Sequence, residues 1–392
     1  MKGVGIGWPI GMMSGWGIYG LNLVLQLAQR PGYEPILLVD SPILTSSYVN
    51  PLHRALLQPV LEQQQSLHAF LAQHEQKQLS CEFAVLQAIG KDFAASLPHI
   101  TGSANIGIVF CEDSRLSPEA VQRASRYDRI IAGCTWSETV FKHYGLTQVR
   151  KVIQGIDPTV FHPAPRSTLF ADRFVVFSGG KLEYRKGQDI VIAAFKAFHA
   201  HHPEALLLVA WHNFWSDYMT GLEQTGNVVG LPQVEPDGRL RLVEWLVANG
   251  LPAEAVIDLG AVPNLMMGQM MREADVAVFP NRCEAGTNLV AMECLACGVP
   301  TIISANTGHL DLIDEAIDYP LRYQKTVRPN VYFSSVEDWG ESDVEEVVAQ
   351  LEAIYGDRQT AQRRGQQAAQ RMQSWSWHNQ ISQLLAAIDE CL

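Results

Sequence analysis

The stretch VAVFPNRCEAGTNLVAMECLACGVPTIIS, residues 276–304, reads as one strand–helix–strand unit. The apolar run 276–279 ends at Pro280, which cannot donate to a sheet ladder. Residues 289–297 follow as a helical pattern, stopped by Gly298 with Pro300 beyond. A second strand begins at Thr301. A helix between two such strands makes them parallel, because only a crossover returns the chain in the same direction. The turn before the helix holds Gly286, Thr287 and Asn288. Thr287 or Asn288 can cap the helix, leaving first-turn amides beyond the carboxyl edge of the sheet. Glu284 lies in the turn, and Glu293 lies about one turn inside the helix beside Met292 and Leu295. A carboxylate among apolar neighbours is costly without a partner. The vicinal hydroxyls of a sugar or ribose suit its two acceptor oxygens. An internal ion pair or a cap would satisfy it as well.

The same alternation runs outward in both directions. In the first half, strands are expected at 4–7, 36–39, 106–111, 129–132 and 151–153, with helices at 21–29 and 118–124. The Gln-, Leu- and Ala-rich segment 48–78 is expected to be helical, interrupted at Pro51 and Pro59. Residues 157–173 hold three prolines and no clear period, which marks a linker. Beyond it, strands at 174–177, 206–210, 256–259, 276–279 and 301–304 alternate with helices near 189–199, 266–273 and 289–297. A last helix, near 379–390, follows Trp375 and Trp377. The pattern predicts two α/β domains, 1–165 and 166–375, each a doubly wound parallel sheet. Ligands of such sheets bind beyond the strands' carboxyl ends, and two domains facing each other make a cleft.

Composition narrows the function. Of 29 basic and 41 acidic residues, residues 1–165 hold 12 of each, so the net charge of −12 arises in the remainder. That disfavours nucleic-acid binding, which wants a basic face, and neither half has a Lys/Arg cluster for anionic lipid. No apolar run is long enough to span a membrane. The start, MKGVGIGWPIG, reads as a first strand rather than a signal peptide. Seven cysteines, an odd number at irregular spacing, fit a reducing cytoplasm. Cys294 and Cys297 form a lone C-x-x-C inside a helical pattern and read as core packing. His99 and His162 read as structural.

Three more stretches at strand ends carry unusual residues. GIGWPIGMMSGWGIYGLNL (5–23) places Gly15 and Gly17 before a helix expected to begin near Tyr19 or Gly20. Glycines there let the backbone approach a ligand, and a helix start favours anions; a tight structural turn is the plain alternative. The dinucleotide fingerprint is incomplete, which sets an oxidoreductase aside. SGGKLEYRKGQD (178–189) crowds Lys181, Arg185 and Lys186 around a helix expected to open near Gly187. Three cations there oppose the helix dipole, so an anion should offset them, and a diphosphate would; a solvated basic loop is the alternative. VFCEDSRLSP (109–118) ends a strand with Glu112 and Asp113. They would face the cleft, or Asp113 or Ser117 caps the next helix.

Together these residues resemble the retaining glycosyltransferases of the GT-B fold, in particular the large family 4-like group. GGKLEYRKG is similar to the family's G-R-L-x-x-x-K-G, with Lys181 in the arginine's place and Lys186 matching the lysine. A lysine there supplies the charge without the bidentate fork. EAGTNLVAMECLACGVP is similar to its E-x7-E followed by A-C-G-x-P, except that Glu284 and Glu293 enclose eight residues. VIQGIDPTVFHP (152–163) is similar to the stretch at the family's domain crossover. The resemblance implies two Rossmann-like domains facing a cleft, with a C-terminal helix, about 376–392, crossing back to the first. It implies acceptor binding by domain one and donor binding by domain two. The activity implied is transfer of a sugar, with retention and without a metal, from a UDP- or GDP-linked donor to a small-molecule, glycan or protein acceptor. No separate cofactor is implied. Lys181, Lys186 and Glu284 would be catalytic. Gly15, Gly17, Gly180, Arg185, Gly286, Thr287, Asn288, Leu289 and Glu293 would bind the donor, Glu293 at the ribose. A GT-B nucleotide-sugar epimerase using Glu112 or Asp113, or a non-catalytic nucleotide-sugar-binding module, would share most of these features.

Overall fold

The structure is a computed structural model and describes residues 1–41, 50–74, 77–213 and 215–392. It divides into two compact units. One comprises Met1–Gly155, Pro263–Leu265 and Trp375–Leu392, the other Ile156–Val262 and Met266–Ser374.

In the first unit, β1 (Lys2–Ile6), α1 (Gly15–Ala28), β2 (Tyr33–Leu37), α2 (Pro51–Ala72), β3 (Ala84–Ile89), β4 (Asn105–Val109), α3 (Pro118–Ala124), β5 (Arg129–Ala132), α4 (Thr135–His143) and β6 (Val149–Lys151) follow in order. The strands form one parallel sheet in the order β2-β1-β3-β4-β5-β6. The central strand β3 has no counterpart among the expected strands. Its apolar run is broken by Gln87, a polar residue buried within it. The Gln87 amide is satisfied off the sheet, accepting from the Leu97 N–H at 2.8 Å and donating to the Leu97 carbonyl at 3.3 Å. Of the expected helix 48–78, residues 51–72 form α2, with Pro51 at its first turn, where a missing N–H costs nothing, and Pro59 inside it. Tyr48, Val49, Glu75 and Gln76 lie outside the described residues.

The last helix, 377–389, belongs to this unit. Ser376 caps it, and Trp377 stacks on Tyr19 of α1 with centroids 5.6 Å apart. Arg129 of β5 donates to the Ala387 carbonyl at 3.2 Å and pairs with Glu390 at 2.8 Å. Asp389 accepts from the Tyr33 hydroxyl at 2.7 Å.

The second unit contains β7 (Phe174–Gly179), α5 (Gln188–His199), β8 (Ala205–Ala210), α6 (Leu242–Ala248), β9 (Val256–Asp258), α7 (Asn264–Arg272) from Met266 onward, β10 (Val276–Phe279), α8 (Leu289–Ala296), β11 (Thr301–Ser304), β12 (Tyr319–Leu321), α9 (Val344–Gly356) and α10 (Arg358–Met372). Its parallel sheet runs β9-β8-β7-β10-β11-β12. The buried strand faces of β7, β8, β10 and β11 pack on Ile190, Phe195 and Phe198 of α5 and on Val347 and Leu351 of α9. Residues 157–173 carry no helix or strand and lie with this unit, where Arg166 pairs with Asp275 at 2.8 Å.

Strand order reverses between β7 and β10. Chain leaving β7 runs to one side of the sheet and chain leaving β10 to the other. This reversal is a topological switch point, and the loops at the carboxyl ends of β7 and β10 stand where such sheets bind ligands.

Candidate functional site

Those two loops are 180–187, after β7, and 280–288, after β10. They touch at Gly187, whose φ is +69° and whose added β-carbon would stand 2.3 Å from the Pro280 carbonyl oxygen. Only glycine permits both that backbone and that approach. A hydrogen bond from the Arg282 N–H to the Arg185 carbonyl, 2.8 Å, joins the loops again.

Beneath them lies a fully buried ion pair. Arg282 donates through both terminal nitrogens to the two oxygens of Asp189, at 2.8 and 2.7 Å, and neither side chain is exposed. It also donates to the Tyr184 carbonyl and to Glu341, each at 2.8 Å. Asp189 sits in the first turn of α5, so this fork ties the start of α5 to the loop after β10. Burial opposes both charges. The pairing outweighs it, holding the Asp189 carboxyl down and the Arg282 guanidinium up.

Above the pair, the two loops bring charged residues together. Glu284, Arg185 and Lys186 are all close to fully buried, with side-chain exposures of 6%, 7% and 12%. The Lys186 ammonium donates to Glu284 Oε1, as does the Asn281 amide. Arg185 lies 3.1 Å from Glu284 Oε2, donates to the Cys283 carbonyl at 2.9 Å and pairs with Glu183. Burial alone would raise the Glu284 carboxyl, but Lys186 and Arg185 outweigh it and hold it at about 2. Lys186 is lowered by burial and by Arg185, against the opposing pull of Glu284.

The chain's own carboxylates meet these cations. The anion expected to offset the cations is supplied by Glu284 and Glu183. Arg185, expected to bind a donor, is engaged by Glu183, Cys283 and Glu284. Lys181 stands apart, 41% exposed, with its Nζ 3.8 Å from Glu183 and 5.0 Å from the Trp215 ring centroid. Gly180 is in the left-handed region, φ +117°. Gly286, Thr287, Asn288 and Leu289 form the turn and first residue of α8, all buried, and Glu293 is 3% exposed within that helix. Of the two proposed caps, Asn288 makes it, at φ 59°, its side chain accepting from the Ala291 N–H.

Gly15 and Gly17 are placed differently from the expectation. Helix α1 starts at Gly15 rather than near Tyr19, because Ser14 caps it by accepting from the Gly17 N–H at 3.1 Å. The two glycines form its first turn, not a loop. Asp113 lies 3.6 Å from Lys91, and Ser117 is the cap of α3. Cys294 and Cys297 are buried thiols, pushed up by burial. Among the described residues no cluster of His, Cys, Asp and Glu is arranged to hold a metal ion.

The sequence reading missed a third loop, after β11. Thr307 accepts from the Glu284 N–H at 2.8 Å, and the Gly308 N–H donates to the Glu284 carbonyl at 3.0 Å. His309, fully buried, lies 3.1 Å from the Asn288 amide and 2.9 Å from the Ser304 hydroxyl. The available signal was SANTGH (304–309), small and polar residues ending a buried strand at the carboxyl edge.

Residues 164–319 match the family Glycosyl transferases group 1, and residues 265–384 match Family 4 Glycosyltransferase in conflict systems. This part of the chain is therefore similar to group 1 and family 4 glycosyltransferases. A D-inositol 3-phosphate glycosyltransferase of Acidothermus cellulolyticus is 30% identical over 199 residues, covering 47% of this chain and 39% of that protein. One from Catenulispora acidiphila is 26% identical over 304 residues, covering 74% and 64%. The chain thus spans less than two thirds of the length of these curated relatives. Among solved structures, sucrose-phosphate synthase from Thermosynechococcus elongatus is similar with a TM-score of 0.68 at 17% identity, covering 100% of this chain and 99% of that one. Anabaena HepE in complex with UDP and glucose is similar with a TM-score of 0.66 at 16% identity, covering 100% of both. The fold is GT-B, as the resemblance implies.

Proposed function

We propose that this chain is a retaining glycosyltransferase that moves a sugar from a UDP- or GDP-linked donor to an acceptor hydroxyl without a metal. The observation that carries the reading is the meeting of Lys186 and Glu284 at the start of α8, at the switch point of the second sheet. Oriented amides and a buried cation at one spot suit a leaving diphosphate. Lys186 has three N–H groups and gives one to Glu284, so it can hold a phosphate oxygen without losing that partner. Lys181, 41% exposed, adds a further positive charge. The amides of Gly286 to Leu289 receive the diphosphate. Glu293 takes the ribose diol, and Glu284 orients the sugar. The first unit binds the acceptor, a small molecule, glycan or protein. UDP is the first nucleotide to test, since HepE is described in complex with UDP.

The test is a binding panel of UDP, GDP and ADP with their sugar conjugates, in EDTA, read by calorimetry and thermal shift. One base family should stabilise the protein, by about 2.7 kcal/mol at 100-fold excess over Kd. Lys186→Ala and Glu293→Ala should abolish that shift. The anomer released first in donor hydrolysis, read by NMR, reports retention or inversion. A folded sample that answers to no nucleotide, or only after a metal is added, overturns the corresponding part of the proposal.

A further inference from the structure

Asn288 is the residue on which α8 starts. It is a non-glycine in the left-handed region, φ 59° and ψ 89°, where bulkier side chains are rarely stable. Its amide faces two ways, with Oδ1 toward the Ala291 N–H at 3.5 Å and Nδ2 toward His309 Nε2 at 3.1 Å. The other side of the His309 ring faces the Ser304 hydroxyl, Nδ1 to Oγ 2.9 Å. That hydroxyl lies 2.7 Å from the Asn281 carbonyl, which can only accept.

Proton counting then fixes every step. The single hydroxyl proton of Ser304 goes to the Asn281 carbonyl. Ser304 Oγ is left to accept, so His309 Nδ1 carries the ring proton. In a neutral ring Nε2 is then a bare acceptor, which requires Asn288 Nδ2 to donate. The Asn288 oxygen is thereby aimed at the Ala291 N–H, as a cap must be. A proton added at Nε2 would set donor against donor, and the amide could answer only by turning its NH2 group on Ala291.

We propose that His309, as the neutral Nδ1–H tautomer, is a positioning residue that fixes the Asn288 amide and so aims the first-turn amides of α8 at the donor diphosphate. The proposal rests on the donor-site reading above for its ligand, but the relay itself does not. The charged groups facing His309 are Glu284 on the turn after β10, and Lys186 and Arg185 on the loop after β7. Burial first, and then the two cations, disfavour the imidazolium, while Glu284 and the Ser304 carbonyl favour a ring proton. The net direction keeps the ring neutral at physiological pH. The buried Lys186–Glu284 contact thus bears on the cap as well as on the ligand.

Two measurements test this. Long-range 15N–1H spectra of histidine-labelled protein, with His309 assigned by its loss in His309→Gln, should show the Nδ1–H tautomer between pH 6 and 8. An Nε2–H tautomer or an imidazolium overturns the relay. Calorimetry with UDP and GDP should show about tenfold weaker binding in His309→Leu, which fills the space without an acceptor. His309→Gln, whose Oε1 can accept from Asn288, should recover most of that loss. Equal affinity in wild type and His309→Leu overturns the positioning role. If wild type binds neither nucleotide, the donor-site reading fails, and the tautomer alone then decides the relay.

Discussion

Alanine at Gly308 should disable the site while leaving the unit folded. An added β-carbon there would stand 1.8 Å from the Gly286 carbonyl oxygen and 2.7 Å from that of Glu284. To reach a 3.0 Å contact, the turn before α8 must retreat by about 1.2 Å. Gly308 has no positive φ, so alanine adds no backbone strain of its own and the effect is steric. The retreat stretches the Gly308 N–H bond to Glu284 and draws Glu284 away from Lys186. Overpacking of this kind costs about 1–3 kcal/mol of stability. For a unit of this size that is a fall of about 2–4 °C in Tm per kcal/mol. Misplacing binding groups by about 1 Å costs on the order of 100-fold, or about 2.7 kcal/mol. The assay is calorimetry with whichever nucleotide wild type binds, beside differential scanning fluorimetry. Gly356→Ala, at the end of α9 where an added β-carbon meets nothing within 4 Å, is the control and should leave affinity unchanged without lowering Tm. An unchanged Tm in Gly308→Ala would mean that the turn yields freely. A lowered Tm with unchanged affinity would mean that the turn does not carry the donor. Either result refutes the reasoning.

Arg282→Met should cost about 3–5 kcal/mol in urea unfolding, because it leaves the fully buried Asp189 without its counter-charge. Adding Asp189→Asn should recover part of the loss, and a single variant as stable as wild type would deny the pair its role. Two pH windows are expected in stability. Glu284 is held at about 2 against an ordinary 4.5, so its contribution is present above pH 4.5 and is lost as pH falls through 2. His309 is lowered by burial from 6.5 to about 4, so the unfolded chain takes up the proton first and stability falls from pH 6.5 toward 4. Each shift corresponds to roughly 3 kcal/mol. Urea midpoints against pH should lose the lower slope in Glu284→Gln and the upper one in His309→Gln; slopes that survive the substitutions refute the assignments.

The second unit was more legible than the first because its strands are nearly pure apolar runs. VAVF and TIIS matched the observed strands residue for residue, and LLLVA missed one by a single residue. In a parallel sheet buried on both faces, composition alone marks such strands. Strand β3 was hidden because it buries Gln87, whose amide is satisfied by residues ten and more positions away. Strand β12 is only YPL, with a proline at the sheet edge. Helix α10 was hidden for another reason. Its sequence RQTAQRRGQQAAQRM buries only small residues and Met372, so it carries little apolar period. Within the site, the motif residues were found, but their pairing was not. Which carboxylate meets which cation depends on how loops about 98 residues apart approach each other, and no local pattern encodes that.

That pairing changes what the cations can do. Arg185 and Lys186 balance Glu183 and Glu284, so the buried cluster is neutral without a ligand and needs no outside anion to be stable. Arg185 gives its guanidinium to Glu183, the Cys283 carbonyl and Glu284, which makes it a brace between the two loops. Lys186 gives one of its three ammonium donors to Glu284. A diphosphate arriving at α8 therefore adds negative charge to a neutral cluster. The compensation has to come from groups outside that balance: the helix amides, and Lys181 resting on Trp215 at the exposed edge. On this reading Lys181 and Lys186 are not equivalent. If the proposed donor diphosphate sits at α8, Lys186 positions it and Lys181 supplies the net charge that holds it. Raising ionic strength should weaken donor binding in wild type and much less in Lys181→Gln, since an exposed charge is screened and a buried, paired one is not. Equal salt dependence in the two proteins would return that charge to Lys186.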